Sequence, residues 1–189
     1  MTSSSAGRCV ARRGERRRGL LGAAFERRGS AAIELALIAP VIGFGLVNAV
    51  DIARYLYQDM EVQNAAQSGA QAAWSSCTVA QLPATTNCSG LSAAVTAAVH
   101  GTSLGTSVSL ATGSPSEAYY CVNSSGALVW VAAVSSPPSD CSSVGNSTGT
   151  PGDYIKVQVS YAYSPMFPAL TVAATFPTPT TSTSMMRLR

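Results

Sequence analysis

Glu34 is the residue whose placement most needs a chemical reason. It stands inside Ala31–Val50, AAIELALIAPVIGFGLVNAV, an apolar run otherwise interrupted only by Pro40 and Asn48. A carboxylate within hydrocarbon is costly unless it meets a cation or reaches water, so an intramembrane acid is a functional candidate by default. Two roles fit it. Glu34 can attract a positive group from another molecule. Alternatively, lying one turn into a helix, it can reach headgroups while favouring the positive end of the helix dipole. Directly ahead, in RRGSAAIELALIAP, Gly29 closes a basic stretch and Ser30 opens the apolar one. A secretory signal carries its small-residue cleavage site after the apolar segment. Here the small residue precedes it. Cleavage between Gly29 and Ser30 would remove the basic leader and leave the whole apolar helix on the mature chain.

The cysteines offer a second chemistry. Cys9 lies in the basic leader, whereas Cys77, Cys88, Cys121 and Cys141 lie beyond the apolar run. An even number in an exported region points to two disulfides in an oxidising compartment. Three pairings are open, and Cys77–Cys88 with Cys121–Cys141 is favoured because each closes a local, turn-rich loop. Zinc would need other spacings: there is no CxxC pair, and His100 is the single histidine,. No metal or other cofactor is expected. The sequence has no GxSxG, no HExxH and no P-loop, and Asp140 and Asp153 fall in loop-like sequence without an evident partner,. The chain therefore reads as non-enzymatic, with no small-molecule substrate evident. Asn87, Asn123 and Asn146 open N-x-S/T triplets, which suggest exposed loops,.

These residues need elements to position them. Twenty helical residues span roughly 30 Å, the thickness of a bilayer's hydrocarbon core, so residues 31–50 are expected to cross a membrane. The formal charge of +3 is unevenly placed. Residues 1–28 carry eight arginines against Glu15 and Glu26, while the rest carries Arg54, Lys156, Arg187 and Arg189 against seven acids. Arginines beside an apolar span are retained in the cytoplasm, which places the C-terminal part across the membrane. Nucleic acid is the competing partner for such a leader, but no aromatics interleave the arginines to stack bases.

The leader, 1–29, has a disordered composition. From Ser30, as its cap, a helix is expected to pass the bilayer and continue to about Trp74, with Pro40 kinking it. In its second half Ile52, Leu56, Val62, Ala66, Gly69, Ala70 and Ala73 form a weak apolar face. Asp51 and Arg54 are spaced for an i,i+3 ion pair near the membrane boundary. Tyr55 and Tyr57 fit an interfacial aromatic belt, and Trp74 and Trp130 are expected in the core. A short helix should cover residues 91–99 and strands 107–111, 118–123 and 128–134. The clearest strand is YIKVQVSYAY, 154–163, whose Ile155, Val157, Val159, Tyr161 and Tyr163 alternate with more polar residues,. Residues 180–188 supply a last strand. The expected fold class is α+β, a long N-terminal helix on a small antiparallel sheet.

The segment GSAAIELALIAPVIGFGLVNAVDIARYLYQDMEVQNAAQSGAQAAW resembles the N-terminal domain of the TadE-like family, minor pseudopilins of the Tad (Flp) pilus assembly system. The resemblance rests on Gly29, Glu34, Pro40 and the alanine-rich stretch 65–73, and it covers about 45 residues. It implies a pilin-like fold in three parts: a cleaved cytoplasmic leader (1–29), a transmembrane and extended helix (30–75) and an exported α+β head (76–189). It further implies that a prepilin peptidase cuts between Gly29 and Ser30. Glu34 would then attract the new amino terminus of a neighbouring subunit during assembly. The implied partners are that peptidase, other pilins and pseudopilins, and the Tad platform proteins. The implied location is the bacterial inner membrane, single-pass, with the head in the periplasm. The competing reading is a signal-anchored exported binding or adhesin module outside any pilus, with the same topology and no cleavage.

Overall fold

The structure, a computed structural model, describes the backbone of residues 15–188 and the side-chain surroundings of residues 30–188. Contacts divide the chain into two compact units, Met1–Val47 and Asn48–Arg189. The first helix, α1 (Glu15–Ser76), contributes to both. It begins fifteen residues before Ser30, so the expected disorder up to residue 29 and the cap at Ser30 are corrected for the residues from Glu15 onward. The reason lies in the sequence: Glu, Leu, Ala and Arg dominate from Glu15 to Arg28, all good helix formers, with no proline among them,. Pro40 lies inside α1 and does not end it, although it lacks the N–H that would reach the Ala36 carbonyl.

In the second unit the helix buries a stripe of small residues. Val62, Ala65, Ala66, Gly69, Ala70 and Ala73 pack in one core with Leu91, Val95 and Val99 of α3 (Leu91–His100) and with Ile155, Val157 and Val159. Gly69 has a specific purpose. A Cβ there would lie 2.9 Å from a methyl of Val99 and 3.0 Å from one of Val157, so only glycine lets α1 come this close to both elements. Leu56, expected on the inner face, is exposed, and Ala65 takes part instead. Small side chains permit the close approach, and the apolar surface brought out of water drives it.

The sheet has five strands: β1 (Val108–Leu110), β2 (Ser116–Val122), β3 (Leu128–Ala133), β4 (Gly152–Tyr161) and β5 (Thr180–Arg187). All pairings are antiparallel. Along one edge of β4, residues 159–161 pair with β1 and residues 152–156 with β2, which carries β3 outward. Along the other edge β5 pairs with residues 154–161. Central placement explains the period of two in β4: Ile155, Val157 and Val159 enter the core while Lys156, Gln158 and Ser160 are only half-buried. Asp153 belongs to this strand and is buried, not in a loop. The β2–β3 turn is tied by the Asn123 Oδ1, which accepts from the backbone N–H groups of Ser125 and Ala127, with Gly126 at φ 83°.

Cys77 is joined to Cys88, linking the end of α1 to the segment before α3, and Cys121 of β2 is joined to Cys141. Between the first pair lies α2 (Ala84–Asn87). The two tryptophans are not core residues: Trp74 is 56% exposed and Trp130 57% exposed. Trp74 follows Ala73 and so falls one position out of phase with the buried stripe. Trp130 sits on β3, at the end of the strand order, where no further strand packs beside it.

Candidate functional site

Around Glu34 the side chains of the helix are exposed. Ser30, Glu34 and the apolar residues Ile33, Leu35, Leu37, Ile38, Val41, Ile42, Phe44 and Leu46 are all exposed. A helix at the centre of a soluble fold would bury these side chains. This one is long and apolar enough to cross a membrane, and the apolar window is wholly unburied. Gly29 and Cys9 lie outside the residues whose surroundings are described, as do all the residues of the leader, 1–29.

The second unit begins at Asn48, two residues before the end of the apolar run, and there α1 grips a distant segment of the chain. The Asn48 side chain donates to the Leu170 carbonyl at 3.2 Å and accepts from the Val172 N–H at 2.8 Å. One turn on, Asp51 is completely buried, and its two carboxylate oxygens accept from the backbone N–H groups of Met166 at 3.0 Å and Phe167 at 3.2 Å. The Asp51 carbonyl also accepts from the Tyr163 hydroxyl at 3.0 Å. Tyr55, one turn further, packs edge-on against Tyr163 and Phe176, with ring centroids 5.0 and 4.8 Å away.

This arrangement corrects two expectations. Asp51 is committed to backbone amides across the fold and not to Arg54, because the carboxylate faces the core while Arg54 is exposed. Tyr55 packs inside the head, leaving Tyr57 as the exposed ring of the two. Burial, and next the neighbouring Asp51 carboxylate, raise the pKa of Tyr163 above its ordinary value. Its hydroxyl therefore stays a donor over a wider range of pH.

A second carboxylate does comparable work elsewhere. Glu117 of β2 is nearly buried and accepts from the N–H groups of Ala84 and Thr85 at 2.9 and 2.7 Å, and from the Thr85 hydroxyl at 2.7 Å. It thereby caps the first turn of α2 from across the fold. Asp140, by contrast, stays in its own loop, where the Ser142 hydroxyl and N–H bond to it and lower its pKa. Among the described residues no three His, Cys, Asp or Glu side chains gather where they could hold a metal ion.

An exposed apolar helix of this length, leading into a small antiparallel sheet, fits a single-pass membrane anchor with an α+β head. Residues 29–71 match the family model described as TadE-like protein, and over this segment the chain is similar to that family. No curated protein and no solved structure matches the chain.

Proposed function

We propose that the chain is a minor pseudopilin-like membrane protein that supports assembly of a Tad/Flp-type pilus, a structure used in adhesion and surface attachment. The observation that carries this reading is where the family match begins: at Gly29, the residue expected to be left at the end of the cleaved leader. A prepilin peptidase cuts between Gly29 and Ser30 in this reading, and the helix from Ser30 holds the protein in the bacterial inner membrane with the head in the periplasm. The new α-amino group, with an ordinary pKa of about 7.7–8.0, is largely protonated at neutral pH. Glu34 on an adjacent helix is its counter-charge, and pairing in a low-dielectric setting fixes the axial register between subunits. The exposed apolar side chains around Glu34 leave room for such a neighbour. Other pilins, pseudopilins and the Tad platform proteins are the partners.

The test is Glu34→Ala in the native host. Normal membrane insertion with strongly reduced piliation is expected, and Glu34→Asp should rescue in part. Piliation at the wild-type level in Glu34→Ala would show that the carboxylate is dispensable and remove the assembly role.

A further inference from the structure

The segment that Asn48 and Asp51 hold has an unusual division of polarity. Its backbone is turned inward: the amides of Met166, Phe167 and Val172 and the carbonyl of Leu170 bond to helix side chains. The amides of Leu170 and Thr171 close a turn onto the Phe167 carbonyl. Its apolar side chains are turned outward, with Met166 and Leu170 each 56% exposed, Val172 50% and Phe167 39%. Between Lys156 and Arg187 the chain carries no charged residue. Five of the six N–H groups of residues 166–172 are bonded within the protein beneath exposed apolar side chains, and a segment that lies against hydrocarbon needs such internal partners.

Its height is fixed by its anchor points. Asn48 precedes the end of the apolar run at Val50 by two residues, which on a helix is about 3 Å. A backbone hydrogen-bonded to Asn48 therefore sits where hydrocarbon gives way to headgroups. Val50, on the same turn of the helix, is also exposed.

We propose that residues 166–172 form a membrane-interfacial wedge, with Met166, Phe167, Leu170 and Val172 inserted into the leaflet that surrounds Asn48. The bilayer would then grip the protein twice, by the helix and by the foot of the head. The bond pair at Asn48 and the pair at Asp51 lock the foot to residues 48–51 of α1. The occupant is lipid, because the patch adjoins the membrane span and lacks charges that would select a protein partner. This inference rests on residues 31–50 being the anchor.

The experiment uses the full chain with Cys9→Ser, reconstituted in phosphatidylethanolamine/phosphatidylglycerol vesicles. A nitrobenzoxadiazole label is placed on Leu170→Cys or, in a parallel sample, on Ile42→Cys. Lipids carrying nitroxides at shallow or deep positions, and aqueous iodide, serve as quenchers. The Leu170 label should be quenched by the shallow nitroxide more than by the deep one, and spared by iodide. The Ile42 label should show the opposite depth preference. Iodide quenching at 170 with lipid quenching at 42 would overturn the wedge, because the patch would face water. Protection at 170 from both quenchers, with lipid quenching at 42, would also overturn it and assign the patch to a second protein surface. Loss of lipid quenching at 42 would instead remove the anchor reading on which the wedge depends.

Discussion

Replacing Asp51 by alanine isolates the bond pair that joins α1 to the segment 166–172. The side chain is fully buried and accepts from two backbone N–H groups at 3.0 and 3.2 Å. A hydrogen bond to a charged group contributes about 1.5–3 kcal/mol, and an orphaned buried donor costs about 1–3 kcal/mol. The Met166 and Phe167 amides are only partly buried, so water would recover some of that loss. The low half of the range, about 2–4 kcal/mol for the pair, is therefore expected. For a head of this size that corresponds to a fall in Tm of roughly 6–12 °C. Thermal unfolding of the full chain in detergent, followed by near-ultraviolet circular dichroism, reads the change. Arg54→Ala is the control. If Asp51 acted as the partner of Arg54, that variant would cost as much as Asp51→Ala, whereas removing an exposed arginine should cost about 0–1 kcal/mol. Equal losses in the two variants, or a Tm for Asp51→Ala within about 2 °C of wild type, would show that the buried carboxylate does not hold the segment 166–172 to α1.

Two more outcomes follow from the same geometry and from the cysteines. Because the folded state raises the pKa of Tyr163, its contribution is intact below the unfolded value of about 10 and is lost as pH rises through the folded value,. Urea titrations over rising alkaline pH should show a steeper loss of stability for wild type than for Tyr163→Phe, which at neutral pH should cost about 1 kcal/mol; parallel profiles would contradict this. For the cysteines, peptide mapping without reductant should yield Cys77–Cys88 and Cys121–Cys141 as linked pairs. Opening the latter by Cys121→Ala with Cys141→Ala should cost about 2–4 kcal/mol, and free thiols at these positions in exported protein would count against the pairing.

Much of the fold is legible in the sequence because burial imposes a period. The alternation in 154–163 marks β4, since a central strand covered by helices on one face must sort its residues every second position. The alanines of 65–73 mark the helix face because only small residues let the backbones close up around Gly69. The candidate site is legible only in part. Glu34 stands out by residue type alone. Asp51 stands out too, but its partners lie 115 and 116 residues away and are backbone amides, which carry no residue signature. The nearby Arg54 offers a local explanation that the fold does not use. Glu117 gives no sequence signal for the same reason, as its partners are the amides of a four-residue helix. The tryptophans mislead in another way: size and apolarity favour burial, but a helix residue one step off the buried stripe, or one on an outermost strand, remains outside whatever its type.

What becomes of the chain at Gly29 separates a pseudopilin from an exported module on an unprocessed anchor. Intact-mass measurement of the protein purified from host membranes, with and without the prepilin peptidase, distinguishes the two. A mature chain beginning at Ser30 in peptidase-positive cells, and the full leader retained without the peptidase, is the predicted result. An uncut leader in cells with active peptidase would contradict the pseudopilin reading and favour an exported module held by an unprocessed anchor.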